Sequence, residues 1–194
     1  MNLPNQLTIA RIVLTFIFMF FLFSQGFWAK LTAFIIFTLA ALTDLLDGKI
    51  ARRWNLVTDF GRLMDPIADK ILVIAAFLAF VELKIIPAWM VIVIIAREFL
   101  ITGLRLLAAN KNIIIAASVG GKHKTVSQMI SIFIILVVLV FKEAAVKYFN
   151  FWNANLEANL DKIIYYLMII TVALTIISGL AIILENKSIF RKNE

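Results

Sequence analysis

Cysteine is absent from this chain of 194 residues, which removes disulfides and thiolate metal sites from consideration. Histidine occurs once, at His123, so no imidazole cluster is available to hold a metal. Charge is scarce as well: 16% of residues are charged and 63% are hydrophobic, with mean hydropathy +0.99. Soluble domains run at about a quarter charged and about half apolar, so the shortage of charge points to the bilayer. The net charge of +7 would suggest nucleic acid on a soluble protein. Here the basic residues lie mostly between apolar runs, which makes anionic lipid and anionic substrates the expected partners, and not nucleic acid. No small-residue cleavage pattern follows the first apolar stretch, so that stretch is expected to be a retained helix. Internal repeats and low-complexity segments are also missing from the sequence.

What is present is a series of six apolar segments of helix length, near residues 7–27, 31–53, 64–82, 87–109, 124–141 and 160–184. They predict an all-α integral membrane protein, a single domain over 1–194 with six transmembrane helices. The third and fourth begin around Pro66 and Pro87, since proline suits a first helical turn. A polar, Asn-rich connection is expected over 142–159. Fourteen of the 19 Lys and Arg residues fall on one side of this layout, and Lys30, Lys84, Lys142, Lys147 and Lys162 on the other. The positive-inside rule then puts both termini and the 49–62 and 110–124 connections in the cytoplasm. Trp28, Trp89 and Trp152 fall near the opposite ends, as an aromatic belt would.

Six spans fit a transporter as well as an enzyme; the polar residues inside them decide. Asp44, Asp47, Gly48, Ala51 and Arg52 share a helix face by their three- and four-residue steps, and Gly61, Asp65, Ala68 and Asp69 share another. Each face carries two carboxylates beside small residues, and a tight connection lets the faces oppose each other. From Leu31 to Asp44 the helix rises about 20 Å, which puts Asp44 in the cytoplasmic third of a hydrocarbon core about 30 Å thick. An Asp at the bilayer centre costs roughly 2.5–3.5 kcal/mol and less near the interface. Four that repel one another need compensation. Two Mg²⁺ or Mn²⁺ ions roughly 3.5–4 Å apart would supply it and could clamp a phosphoryl group. The plainer reading is that these residues cap helices, Asp65 before Pro66 above all, or pair with Arg52, Arg53, Arg62 and Lys70.

The string Asp44-x2-Asp47-Gly48-x2-Ala51-Arg52-x8-Gly61-x3-Asp65-x3-Asp69 resembles the complete signature of the CDP-alcohol phosphatidyltransferase family, eight positions within 26 residues. Three further segments resemble the bacterial branch that uses sn-glycerol 3-phosphate as acceptor. They are Pro4-Asn5-Gln6-Leu7-Thr8 with Arg11, Ala96-Arg97-Glu98-Phe99 with Thr102-Gly103-Leu104-Arg105, and Gly121-Lys122-His123-Lys124-Thr125. The resemblance implies that CDP-diacylglycerol and sn-glycerol 3-phosphate give phosphatidylglycerol phosphate and CMP. It implies a homodimer in the bacterial cytoplasmic membrane, its site open to the cytoplasm. By position, Asp44, Asp47, Asp65 and Asp69 would hold two metal ions, with Asp69 also the base. Gly48, Ala51 and Gly61 would leave room for the cytidine, and Arg52 would contact the diphosphate.

Arg97 and Glu98 interrupt the fourth apolar segment about 15 Å beyond Pro87. Charges at such depth are functional candidates that face the protein interior. With Arg105, Lys122 and Lys124, Arg97 is expected to receive the acceptor phosphate, because a guanidinium fork binds phosphate oxygens in pairs. An internal ion pair of Arg97 with Glu98 is the alternative. His123 reads as a surface residue and the tail Lys187, Arg191 and Lys192 as a membrane anchor. The run Phe16, Phe18, Phe20, Phe21 and Phe23 is either lipid-facing or core. Rival functions are the same transfer onto phosphatidylglycerol (cardiolipin synthesis), onto serine or onto inositol phosphate, an intramembrane prenyltransferase, and a divalent-cation transporter.

Overall fold

The computed structural model describes the backbone of residues 3–54, 59–110, 119–149 and 151–186, and the side chains of 9–43, 70–109, 124–149 and 151–186. Six α-helices make up these residues: α1 (Leu3–Phe23), α2 (Phe27–Trp54), α3 (Asp59–Glu82), α4 (Ala88–Asn110), α5 (Val119–Ala144) and α6 (Ala154–Glu185). A π-helical turn, Ala145–Phe149, ends α5. Among the described residues two stretches are long and apolar enough to cross a bilayer, Lys124–Phe149 and Ala154–Glu185, while Ile9–Phe23 and Phe27–Thr43 are shorter apolar helices.

The first two helices form a hairpin through Gly26, whose φ of 97° suits a residue without Cβ. The end of α1 leaves carbonyls without intrahelical partners, and the buried Lys30 of α2 answers one of them, donating to Leu22 O at 2.6 Å. The phenylalanine run divides by helical phase. Phe18 is fully buried together with Leu22, four residues on, whereas Phe16 and Phe20, also four apart, are about 70% exposed. Both readings of that run therefore hold, on opposite faces of α1.

Phe18 meets Phe37 of α2 at 5.4 Å between ring centroids, and Phe37 meets Phe133 of α5 at 5.4 Å, edge to face. Phe77 and Phe80 of α3, Met90 and Ile94 of α4, Ile132 and Ile135 of α5 and Met168 of α6 complete a core that ties all six helices. Within it α1 packs on α2 and α3, α5 on α6 and α2, and α4 on α6.

Several boundaries differ from the sequence expectation: α1 ends at Phe23 and not near 27, α2 starts at Phe27 and not near 31, and α5 starts at Val119 and not near 124, besides two larger differences at α3 and at the α5–α6 connection. Helix α3 begins at Asp59, so Asp65 and Pro66 lie in its second and third turns and not at its start. Proline has no N–H for the residue-62 carbonyl, yet the helix runs through it. An N-cap role for Asp65 is thereby removed. The expected connection over 142–159 is largely helical: α5 and its π turn reach Phe149, and α6 starts at Ala154. Asn153 caps α6, its side chain accepting from Leu156 N at 2.8 Å. Glu157 in the first turn of α6 accepts from Lys142 at 2.5 Å and from the Trp152 indole at 3.2 Å, which pins the α5–α6 corner.

Candidate active site

The eight signature positions fall on two helices. Positions 44, 47, 48, 51 and 52 occupy the last three turns of α2, and 61, 65 and 69 the first three turns of α3. Because both stretches are α-helical, 44, 47, 48 and 51 share one face and 61, 65 and 69 share another. The side chains of Asp44, Asp47, Gly48, Ala51, Arg52, Gly61, Asp65 and Asp69 lie outside the described residues, as do those of Lys122 and His123. The tail Lys187, Arg191 and Lys192 and the Pro4–Thr8 side chains do too.

Of the residues expected around the acceptor phosphate, the side chains of Arg97, Arg105 and Lys124 are described. Arg97 and Glu98 are the tenth and eleventh residues of α4, level with Ser178 of α6 and Lys124 of α5. Arg97 Nη2 donates to Ser178 Oγ at 2.6 Å, and Nη1 lies 3.4 Å from Glu98 Oε1. The Lys124 ammonium donates to the same Glu98 oxygen. One turn further along α4, Thr102 donates to Glu98 O at 2.7 Å and accepts from Lys70 of α3. Side chains from four helices thus meet at one junction. Their exposures are 12% for Arg97, 13% for Glu98 and 7% for Lys124.

Among the described residues Arg97 and Lys124 share the single carboxylate of Glu98, and the Lys70 ammonium reaches Thr102 one turn away. Two buried cations share that one carboxylate, an arrangement compatible with an anionic ligand. Donors are also left over. Arg97 Nε and, one turn beyond Lys124 on α5, Gln128 Nε2 are buried with no hydrogen-bond partner among the described residues. An unpartnered buried donor costs about 1–3 kcal/mol, which an acceptor oxygen from a ligand would relieve.

Of the residues the sequence put in the phosphate pocket, Arg97 and Lys124 are brought together through Glu98. Arg105, two turns on, is exposed and not buried with them. The alternative of an Arg97–Glu98 ion pair is realised too, but shared with Lys124, so pairing and anion binding are not exclusive here. Lys70, Thr102, Gln128, Ser178 and Gly179 were not singled out for this pocket. A signal for some of them does exist. Lys124, Gln128 and Ser131 recur at steps of four and three along apolar α5, as Thr171, Thr175 and Ser178 do along α6. These are two buried polar stripes, joined by Ser131 Oγ and Thr171 Oγ1 at 2.7 Å.

Architecture and site together define a class: an all-helical protein with bilayer-length apolar helices and a buried cationic junction beside two aspartate-bearing helix ends. The family model described as CDP-alcohol phosphatidyltransferase matches residues 1–183, and the chain belongs to that family. Among its relatives is a Bacillus subtilis CDP-diacylglycerol–glycerol-3-phosphate 3-phosphatidyltransferase, 46% identical over 143 residues that cover 68% of this chain and 74% of the relative. A Rickettsia bellii protein of the same description is 38% identical over 135 residues, covering 70% and 75%. A probable phosphatidylglycerophosphate synthase of Mycobacterium tuberculosis is 40% identical over 134 residues, covering 68% and 64%.

Proposed function

We propose that this chain is an integral membrane enzyme that transfers the phosphatidyl group of CDP-diacylglycerol to sn-glycerol 3-phosphate, giving phosphatidylglycerol phosphate and CMP. The family and the named relatives support the transfer. The observation that supports a phosphate-bearing acceptor is the junction of Arg97 and Lys124 on one carboxylate, with Lys70 at Thr102 beside them and a buried guanidinium N–H that has no partner among the described residues. An acceptor bearing a phosphate suits that site better than serine, which brings a carboxylate and no phosphate; among phosphate-bearing acceptors, the named relatives favour sn-glycerol 3-phosphate.

The donor half fits divalent metal. Its four carboxylates are hard oxygen ligands suited to Mg²⁺ or Mn²⁺. Four residues, 55–58, join the two helix ends, which limits their separation to about 18 Å of extended chain. With Asp65 inside α3, helix capping does not account for its presence. Asp44, Asp47, Asp65 and Asp69 would hold two ions, which supply neutralisation of the diphosphate charge. Gly48, Ala51 and Gly61 leave space for the cytidine, and Arg52 contacts the diphosphate. Asp69 takes the proton from the acceptor hydroxyl as that oxygen bonds to the lipid-bearing phosphorus; the bond to the CMP oxygen breaks, and CMP leaves with its electron pair. Arg97 and Lys124, assisted by Arg105 and Lys122, hold the acceptor phosphate.

The Lys and Arg bias supports a site facing the cytoplasm; the homodimer and the bacterial cytoplasmic membrane rest on the family resemblance alone. A purified-protein assay tests the proposal: labelled CDP-diacylglycerol with each candidate alcohol, with and without Mg²⁺ or Mn²⁺. Metal-dependent product from sn-glycerol 3-phosphate is expected. Product from phosphatidylglycerol alone overturns the acceptor, and metal flux into proteoliposomes without CMP release overturns the enzyme.

A further inference from the structure

We infer that Ser178 and Gly179 of α6 are positioning residues that seat Arg97 for the acceptor phosphate and thereby set the acceptor affinity of the site; this rests on the phosphate-binding reading of Arg97. The two residues act on different parts of the same side chain. Ser178 Oγ accepts from Nη2 at 2.6 Å, a short charge-assisted bond that fixes the far end of the guanidinium. Gly179 governs the stem. A Cβ built there would stand 3.0 Å from Arg97 Cγ and 3.4 Å from Nε, so the arginine runs across α6 where a side chain is missing. The stem cannot give way freely, because its guanidinium is also held by Glu98 at 3.4 Å. Nε, which has no partner among the described residues, also borders that gap, next after Cγ.

An arginine has several rotors, and ordering it when ligand binds subtracts from affinity. Here α6 orders it beforehand. The serine sets where the fork ends and the glycine sets how closely the stem approaches the helix. Small shifts matter, since a misplacement of about 1 Å can cost about a hundredfold in turnover. Helix α6 therefore contributes to acceptor recognition without an ionic group at this level.

Steady-state kinetics of the full chain in detergent–lipid micelles, varying each substrate in turn, test this. Ser178→Ala and Gly179→Ala are each expected to raise the KM for sn-glycerol 3-phosphate about five- to tenfold. The KM for CDP-diacylglycerol should move less than about twofold. Ser178→Thr, which keeps the hydroxyl, should recover most of what Ser178→Ala loses. Ser178→Ala adds no atom, so it decides the matter even where Gly179→Ala does not fold. Arg97→Ala is the reference. If it leaves the acceptor KM unchanged, the phosphate-binding reading falls and the seating with it. If Arg97→Ala raises that KM while Ser178→Ala does not, only the seating is overturned. Equal increases in both substrates' KM for Ser178→Ala also overturn it, because they indicate a general packing role.

Discussion

In the donor half, α2 and α3 carry all eight signature positions within 26 residues, on two helix ends joined by four residues. In the acceptor half, Arg97, Lys124 and Ser178 come from three helices, and Arg97 and Ser178 are 81 positions apart. The contrast follows from what each half must do. Under the proposed function, holding small, hard cations requires several oxygens at fixed short distances, which a helix hairpin can offer through three- and four-residue steps. Receiving a phosphate requires donors from several directions around a tetrahedral group, and helices that converge in the fold supply those. Local chemistry leaves a spacing in the sequence; convergent chemistry leaves only isolated charges in apolar segments.

The contrast is sharpest under metal removal. Chelation with EDTA is expected to abolish CMP release, and Mg²⁺ or Mn²⁺ to restore it, while the acceptor half remains folded. Activity that survives exhaustive chelation would break the assignment of the aspartates to metal. Asp69→Asn comes next: it should lower turnover about 10²- to 10⁴-fold, the usual contribution of a general base, with nucleotide binding largely spared. Near-normal rates would mean that the proton goes elsewhere.

A smaller effect belongs to the acceptor half. Arg97→Ala removes a charged donor, which is worth about 1.5–3 kcal/mol, so the acceptor KM should rise roughly 10- to 150-fold with little change for CDP-diacylglycerol. Arg105→Ala should act in the same direction and more weakly, since Arg105 is exposed. If Arg97→Ala instead raised both KM values equally, the division into donor and acceptor halves would not stand.

How much of this was legible in the sequence follows the same division. The aspartate helices were readable because their spacing is local. The lower boundary of α3 was not, because Pro66 looks like a helix start; inside a bundle, neighbouring helices can compensate for the hydrogen bond a proline omits. Helix α6 was read from Leu160, though it begins at Ala154. Its first two turns hold Asn155, Glu157 and Asn159, and a helix that extends beyond the hydrocarbon has no need to be apolar there. The split of the phenylalanine run was implicit in the spacing of Phe16, Phe18 and Phe20, but which phase faced the core required Phe37 of α2. Ser178–Gly179 was illegible for a different reason. A Ser-Gly pair in an apolar helix is an ordinary close-packing signal, and only Arg97 from α4 gives it another meaning.

The smallest effect marks where the acceptor half ends. Below the ionic junction, Ser131 of α5 and Thr171 of α6 share a buried hydrogen bond of 2.7 Å, and Thr171 also donates back to Leu167 O at 3.1 Å. Polar pairs between helices in a membrane contribute about 0.6 kcal/mol on average, because the separated helices also find partners. A double-mutant cycle with Ser131→Ala and Thr171→Val should give a coupling near that value in thermal or denaturant unfolding. Neither variant should change the KM for sn-glycerol 3-phosphate, since both hydroxyls are already satisfied by protein. The nearby Gln128 differs in having an Nε2 with no partner among the described residues. Gln128→Leu is therefore the informative companion. If it raises the acceptor KM while the Ser131 and Thr171 variants do not, the pocket reaches one turn below Lys124 and stops there. If all three raise it together, the polar stripes of α5 and α6 belong to the site as a whole, and the acceptor half is deeper than the cationic junction alone.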